Sequence, residues 1–316
     1  MLNTIRHGTP GDAPPLVIAH GLFGSARNWG AVAKRLSRGR EVIAVDMRNH
    51  GDSPRMDEHS YEAMAADLAA AVAAEGGRAD VLGHSMGGKA AMALALSDPA
   101  RVARLIVADI APVAYGHSQM RYVEAMRGVD LGRVTRRSDL DAALAEAVPE
   151  ASLRAFFGQS LTVGPEGAEW KLNLDALGDQ MEEIMAFPDL PGRFDGPTLF
   201  LTGGTSDYVR DEHWQGIVSR FPEATRVTLP GVGHWLHAEA PRAFSIMPMA
   251  MEPGAACGAS SVPCAQAGAA PSVSASVSNS LRIPSSRAEI TASAFCCRYP
   301  QTGSATRERR RSTRQA

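Results

Sequence analysis

The sequence predicts an α/β protein: a mostly parallel, doubly wound sheet with helices on both faces and a helical cap inserted into it. Three observations carry this. Short apolar runs near 15–19, 41–46, 80–83, 102–109, 197–202 and 225–229 alternate with helical patterns near 28–36, 61–75, 88–97 and 212–221, the arrangement of a parallel sheet covered on both sides. Between Pro112 and Pro191 the alternation stops, and amphipathic stretches near 118–127, 138–148, 150–160 and 173–186 predict helices. Residues Gly83 to Gly87 read G-H-S-M-G, a pattern that has a mechanical meaning where a strand must turn sharply into a helix. The expected organisation is a core built from 1–112 and 192–247, a helical cap from 113–191, and a low-complexity tail over 248–316.

Taken in chain order, the first apolar run, Pro15 to His20, ends in H-G-L-F-G. This is the kind of loop whose backbone supplies an oxyanion donor, and the Leu22 N–H is the candidate. The run Glu41 to Asp46 leads into M-R-N-H-G-D-S-P, a turn-rich segment at the carboxyl end of a strand, where α/β sheets place ligands. In V-L-G-H-S-M-G-G, Ser85 occupies the nucleophile elbow; Gly83 and Gly87 leave room for the crowded turn, and the Met86 N–H, opening the Ala-rich helix, is the second oxyanion donor. Far downstream, R-V-T-L-P-G-V-G-H-W hangs His234 in a glycine-bounded loop after an alternating strand, the place of a general base. His20 and His84 are expected to be packed structural partners, and His237 a surface or capping residue. Two carboxylates follow Ser85 at strand ends in the order a triad needs: Asp109, closing L-I-V-A-D-I-A-P, and Asp207, in G-G-T-S-D-Y-V. Spacing leaves both open as the group that orients the imidazole.

Composition sets the remaining bounds. The chain has 316 residues, 45% hydrophobic and 21% charged, enough for one substantial core. No signal-peptide pattern opens it and no apolar run approaches the ~20 residues of a membrane span, so a cytoplasmic protein without a span is expected. All four cysteines, at 257, 264, 296 and 297, fall in the tail. A thiol nucleophile and a disulfide framework for the body are thereby excluded; no spacing matches a zinc site, and neither metal nor cofactor is expected. The terminal R-E-R-R-R-S-T-R reads as solvated charge rather than a nucleic-acid patch, since residues 1–248 carry 24 basic against 31 acidic side chains. Pro241 to Pro248 starts as a final helix and is expected to break after two turns; the abrupt change of composition beyond it is what a shifted reading frame would leave.

Together, H-G-L-F-G-S-A-R-N-W, D-M-R-N-H-G-D-S-P, G-H-S-M-G-G-K, D-I-A-P-V-A-Y, W-K-L-N-L-D-A-L and G-H-W-L-H-A-E resemble the YbfF-type acyl esterases of the α/β-hydrolase superfamily over roughly Pro14 to Met247. The resemblance implies a serine hydrolase that cleaves short-to-medium acyl esters or thioesters without a cofactor. It favours Asp109 over Asp207 as the acid, with the serine at Ser206 assisting. A carbon–carbon bond hydrolase, a lactonase, or a ligand receptor with vestigial turnover would share the same triad, and these remain open on the motifs alone.

Overall fold

The computed structural model describes residues 1–250; the tail expected over 248–316 lies outside the described residues from Met251 onward. In chain order the elements are β1 (Thr4–His7), β2 (Leu16–Ala19), α1 (Gly30–Leu36), β3 (Val42–Val45), α2 (Tyr61–Ala74), β4 (Ala79–His84), α3 (Met86–Ser97) and β5 (Val102–Ala108). Then come α4 (Met120–Arg127), α5 (Arg137–Leu144), α6 (Ala151–Phe157), β6 (Leu161–Gly164), β7 (Gly167–Trp170), α7 (Leu174–Asp179) and α8 (Met181–Met185). The chain returns through β8 (Thr198–Gly203), α9 (Asp211–Arg220), β9 (Ala224–Leu229), α10 (Leu236–Glu239) and α11 (Pro241–Ala250).

Seven strands form one sheet in the order β1-β3-β2-β4-β5-β8-β9, parallel throughout except for β1, which pairs antiparallel with β3. Strand alternation sorts the core onto two faces. Val17, Val45, Val81, Val107 and Phe200 pack against α2, α3 and α9, while Ile18, Ala44, Leu82, Ile106 and Leu201 pack against Trp29, Val32, Leu36, Leu236 and Phe244 on the other side. The Ala-rich α3 is buried from Met86 to Leu96, a helix apolar all round and small enough to lie close on the sheet. The apolar residues of α4 to α8, among them Val123, Leu140, Phe157, Leu177 and Ile184, join the same cluster as α2 and α3, so the inserted segment shares a core with the sheet.

Five details differ from the sequence reading. β1 was not expected, because T-I-R-H is a half-polar edge strand with little apolar signal. The segment expected to be wholly helical contains the hairpin β6–β7, turned at Gly164 to Gly167 with Gly167 in left-handed backbone (φ 111°). The pattern at 173–186 is two short helices that meet at Gln180, and the one at 138–148 ends at Leu144. The last helix passes through Pro248 to Ala250 instead of stopping before it; one missing N–H near a helix end is tolerated.

Two buried carboxylates fasten this frame. Asp46, just past β3, accepts from the Ala26 N–H (2.7 Å), from Asn3 Nδ2 (2.8 Å) and from the Asp52 N–H (2.9 Å), binding three loops at one strand end. Gly51 (φ 58°) lies against it, and a Cβ there would overlap the carboxylate. Asp80 on β4 is clamped by Arg40 (Nη2 to Oδ2, 2.5 Å) and by the fork of Arg104 from β5 (Nε to Oδ1, 2.9 Å), all three side chains being buried. Removing the carboxylate from such a pair leaves buried positive charge uncompensated. Asp80→Ala is expected to cost about 3–5 kcal/mol in urea unfolding; a loss below about 1 kcal/mol would show that the network contributes little.

Candidate active site

The carboxyl ends of β2, β4, β5, β8 and β9 converge on one cavity of about 560 Å³. Ser85 sits between β4 and α3 in left-handed backbone (φ 53°, ψ −121°). The two glycines around it are sterically required. A Cβ on Gly83 would overlap the Gly87 carbonyl, and one on Gly87 would overlap the carbonyls of Ala19 and His20, so the elbow closes only without side chains there. The Ser85 N–H is spent on the Ala108 carbonyl (3.1 Å), which leaves Met86 as the first residue of α3 with its backbone at the helix N-terminus. Leu22 borders the same cavity from the loop after β2.

His234 borders the same cavity as Ser85. Its Nδ1–H donates to Asp109 Oδ2 at 2.8 Å. Asp109 is fully buried (0% exposed) in left-handed backbone (φ 52°) at the end of β5; Oδ1 accepts the Gly203 N–H (2.9 Å), and Oδ2 also accepts the Ser206 hydroxyl. Asp207 is exposed at the cavity rim. Its neighbour Tyr208 stacks on the His234 ring (centroids 4.0 Å apart, 20° between planes), and His84 Nε2–H donates to the His234 carbonyl (2.9 Å). The imidazole is thus held on one edge, one face and its own backbone.

Three buried histidines brace the loops beneath. His20 accepts the Met47 N–H on Nε2 (2.9 Å) and donates from Nδ1 to the Gly21 carbonyl (2.8 Å); His50 accepts the Phe23 N–H on Nε2 (3.2 Å) and donates from Nδ1 to the Arg48 carbonyl (2.9 Å). His59 accepts from Asn49 and donates to Met86 Sδ (3.3 Å). Each ring needs one bare nitrogen, so each is neutral, and burial lowers all three, His59 to about 3. His237, expected at the surface, is instead buried: it stacks on Trp29 (4.3 Å, 12°) and meets His84 edge-on (4.7 Å), and burial lowers it to about 4. A short helix starting right after His234 turns it inward, which spacing alone does not disclose.

The sequence reading also misses Lys89. One helical turn after Ser85, its side chain is buried (1% exposed), lies over the Tyr115 ring, and donates to the carbonyls of Met185 (2.9 Å) and Ala186 (2.5 Å) at the end of α8. Burial lowers its ammonium to about 7. Tyr61 donates to the preceding carbonyl, Ile184 (2.6 Å), so α2 and α3 together hold the return of the inserted segment. The i, i+4 spacing of Ser85 and Lys89 is the signal by which it could have been found. Tyr115, Tyr122, Phe157 and Ile184 supply an apolar wall from the inserted segment.

The Alpha/beta hydrolase family matches residues 16–245. The chain belongs to the α/β-hydrolase family. Among its relatives in that family are the sn-1-specific diacylglycerol lipase ABHD11 of Mus musculus, 42% identical over 74% of this chain and 80% of the relative, and Esterase YbfF of Escherichia coli (strain K12), 38% identical over 72% and 89%. A solved Marine microorganism esterase superposes with a TM-score of 0.75 at 35% identity, covering 78% of this chain and 98% of that one. The YbfF-type resemblance read from the motifs is therefore borne out. Among the described residues, no helix is long and apolar enough to cross a membrane.

The buried histidines of this α/β-hydrolase dictate its response to acid. His59 and His237 stay neutral in the fold down to about 3 and 4, whereas in the unfolded chain they take up a proton near their ordinary ~6.5. Their stabilising effect is complete above that value and declines as the pH falls. Urea unfolding at pH 5.5 and pH 7.5 should differ by roughly 1.4 kcal/mol for each of them, with a flatter profile in His59→Gln. Equal stability at the two pH values would contradict this.

Proposed function

We propose that the protein cleaves short-to-medium acyl esters or thioesters through a Ser85 acyl-enzyme, with His234 as base, Asp109 as orienting carboxylate and Ser206 as its auxiliary donor. It is a carboxylic ester hydrolase, and the observation that carries the assignment of roles is the hydrogen bond from His234 Nδ1–H to the buried Asp109. That bond fixes the tautomer, leaving Nε2 bare to take a proton. His234 Nε2 accepts the proton of Ser85 Oγ as that oxygen attacks the acyl carbon; the carbonyl oxygen becomes an oxyanion and receives the N–H groups of Leu22 and Met86. The tetrahedral adduct collapses, the carbon–oxygen or carbon–sulfur bond to the leaving group breaks, and the imidazolium protonates the departing alcohol or thiol. A water then loses its proton to His234, attacks the acyl carbon, and releases the acid with Ser85 restored.

Residues 113–191 act as a cap in this reading. They close the carboxyl ends of the strands, contribute Tyr115, Tyr122 and Phe157 to the acyl wall, and exclude water from the site. A volume of about 560 Å³ fits a small-molecule substrate. The relatives above 30% identity named here are lipases and esterases, so a carbon–carbon bond hydrolase, a lactonase or a receptor is not favoured.

A p-nitrophenyl ester series from acetyl to decanoyl, run beside acyl thioesters, is expected to show sustained turnover. Ser85→Ala should lower it by about 10⁶ with the fold intact, and a fluorophosphonate should label the Ser85 peptide; a variant that keeps a tenth of the wild-type rate would remove Ser85 from the mechanism. The acid has its own test. Asp109→Asn loses the orienting charge and is expected to fall by up to ~10⁴ in kcat, while Asp207→Asn keeps most activity. The reverse result would move the role to Asp207.

A further inference from the structure

Besides Ser85 and Asp109, two non-glycine residues in the loops around the site hold left-handed backbone, and the hairpin segment reaches both. Phe23 (φ 63°) follows Leu22; its N–H donates to His50 Nε2 (3.2 Å) and its carbonyl accepts the Ser160 hydroxyl (2.8 Å). Asn49 (φ 66°) precedes His50; its carbonyl accepts the Asn173 N–H (2.9 Å) and its Oδ1 accepts Asn173 Nδ2 (3.0 Å). Ser160 and Asn173 bracket β6–β7. The base of the hairpin is closed by Lys171 N–H on the Ser160 carbonyl (2.7 Å), and Leu172 forms a bridge with His50. The Phe23 ring is covered by Phe157 (centroids 5.5 Å apart).

Left-handed backbone is strained for a bulky residue such as Phe and persists only where the surroundings over-determine it. Here both peptide planes flanking Phe23 are pinned, the Leu22–Phe23 plane through its N–H on His50 and the Phe23–Gly24 plane through its carbonyl on Ser160. The Leu22 N–H belongs to the preceding Gly21–Leu22 plane, whose carbonyl accepts the Gly24 N–H (3.0 Å) and the His20 Nδ1–H (2.8 Å), so the turn pinned at Phe23 closes back on the plane that aims it.

We infer that the β6–β7 hairpin is a clamp that preorganises the oxyanion loop, with Ser160 as the positioning residue. The inference rests on the acyl-transfer reading above and adds to it the device that holds one oxyanion donor in place. Ser160 is buried and is not among the residues bordering the cavity, so its loss removes no substrate contact. Donors aimed at a developing oxyanion act on the transition state more than on bound substrate, so a loosened loop should appear in kcat and not in KM.

Ser160→Ala should therefore lower kcat on p-nitrophenyl butyrate by about tenfold or more with KM within about twofold, and weaken inhibition by a trifluoromethyl ketone, which forms the tetrahedral adduct, by the same factor. The pH dependence of kcat/KM should keep its wild-type midpoint, because the His234–Asp109 pair is untouched, and Ser160→Thr should recover most of the loss. Hydrogen exchange at the amides of residues 22–24 needs no turnover and should accelerate about tenfold or more in Ser160→Ala. A folded Ser160→Ala with wild-type kcat, inhibitor affinity and exchange overturns the clamp. A wild-type protein without ester turnover or fluorophosphonate labelling overturns the acyl-transfer reading instead, and exchange still decides whether the hairpin fixes the loop. If Ser160→Ala fails to fold, Ser160→Cys, with similar volume and a weak donor, takes the same measurements.

Discussion

The buried carboxylate of Asp109 is the group on which the arrangement around His234 depends. It draws donors from three separate stretches of chain: the Gly203 N–H at the end of β8, the Ser206 hydroxyl in the loop beyond, and the His234 ring after β9. A carboxylate with no exposure persists only with its lone pairs occupied, and these donors occupy them. The bonds therefore stabilise the anion and, in the same geometry, set the registry of two loops that the sheet alone would leave free. Asp109 reaches them because its own backbone is left-handed, which turns the side chain across the strand ends.

Much of this was legible in the sequence because it is local. The elbow glycines at 83 and 87 are demanded by contacts within a few residues and with the neighbouring strand, and the chain around Ser85 announces a strand before and a helix after. The position of His234 follows similarly from a strand and a glycine-bounded turn. The choice between Asp109 and Asp207 is different in kind. Both stand at strand ends in the right order, and what separates their surroundings is the direction in which β5 ends, a property of one φ angle and of the loop after β8. The inward turn of His237 and the role of Lys89 at the end of α8 are likewise tertiary facts. The hairpin went unread because G-P-E-G lies inside a region whose dominant period is helical.

The inserted segment and the sheet are also joined by polar contacts, and these fall near the site. Lys89 and Tyr61 hold the carbonyls of residues 184 to 186, and Ser160 and Asn173 hold those of Phe23 and Asn49. A segment attached through backbone carbonyls of this sort keeps its position while its apolar side chains remain free to differ. On the acyl-transfer reading proposed above, substrate preference can then drift by substitution in the wall without disturbing the residues that react.

The aromatic cluster of Trp29, His237 and Phe244 ties α11 to the loop that carries His234. That helix contains Pro248, so the Phe244 carbonyl lacks its usual intrahelical partner. Through the Phe244 ring behind His237, α11 supports the turn that carries His234. Support of that turn and pairing of the sheet therefore rest on different contacts in this molecule.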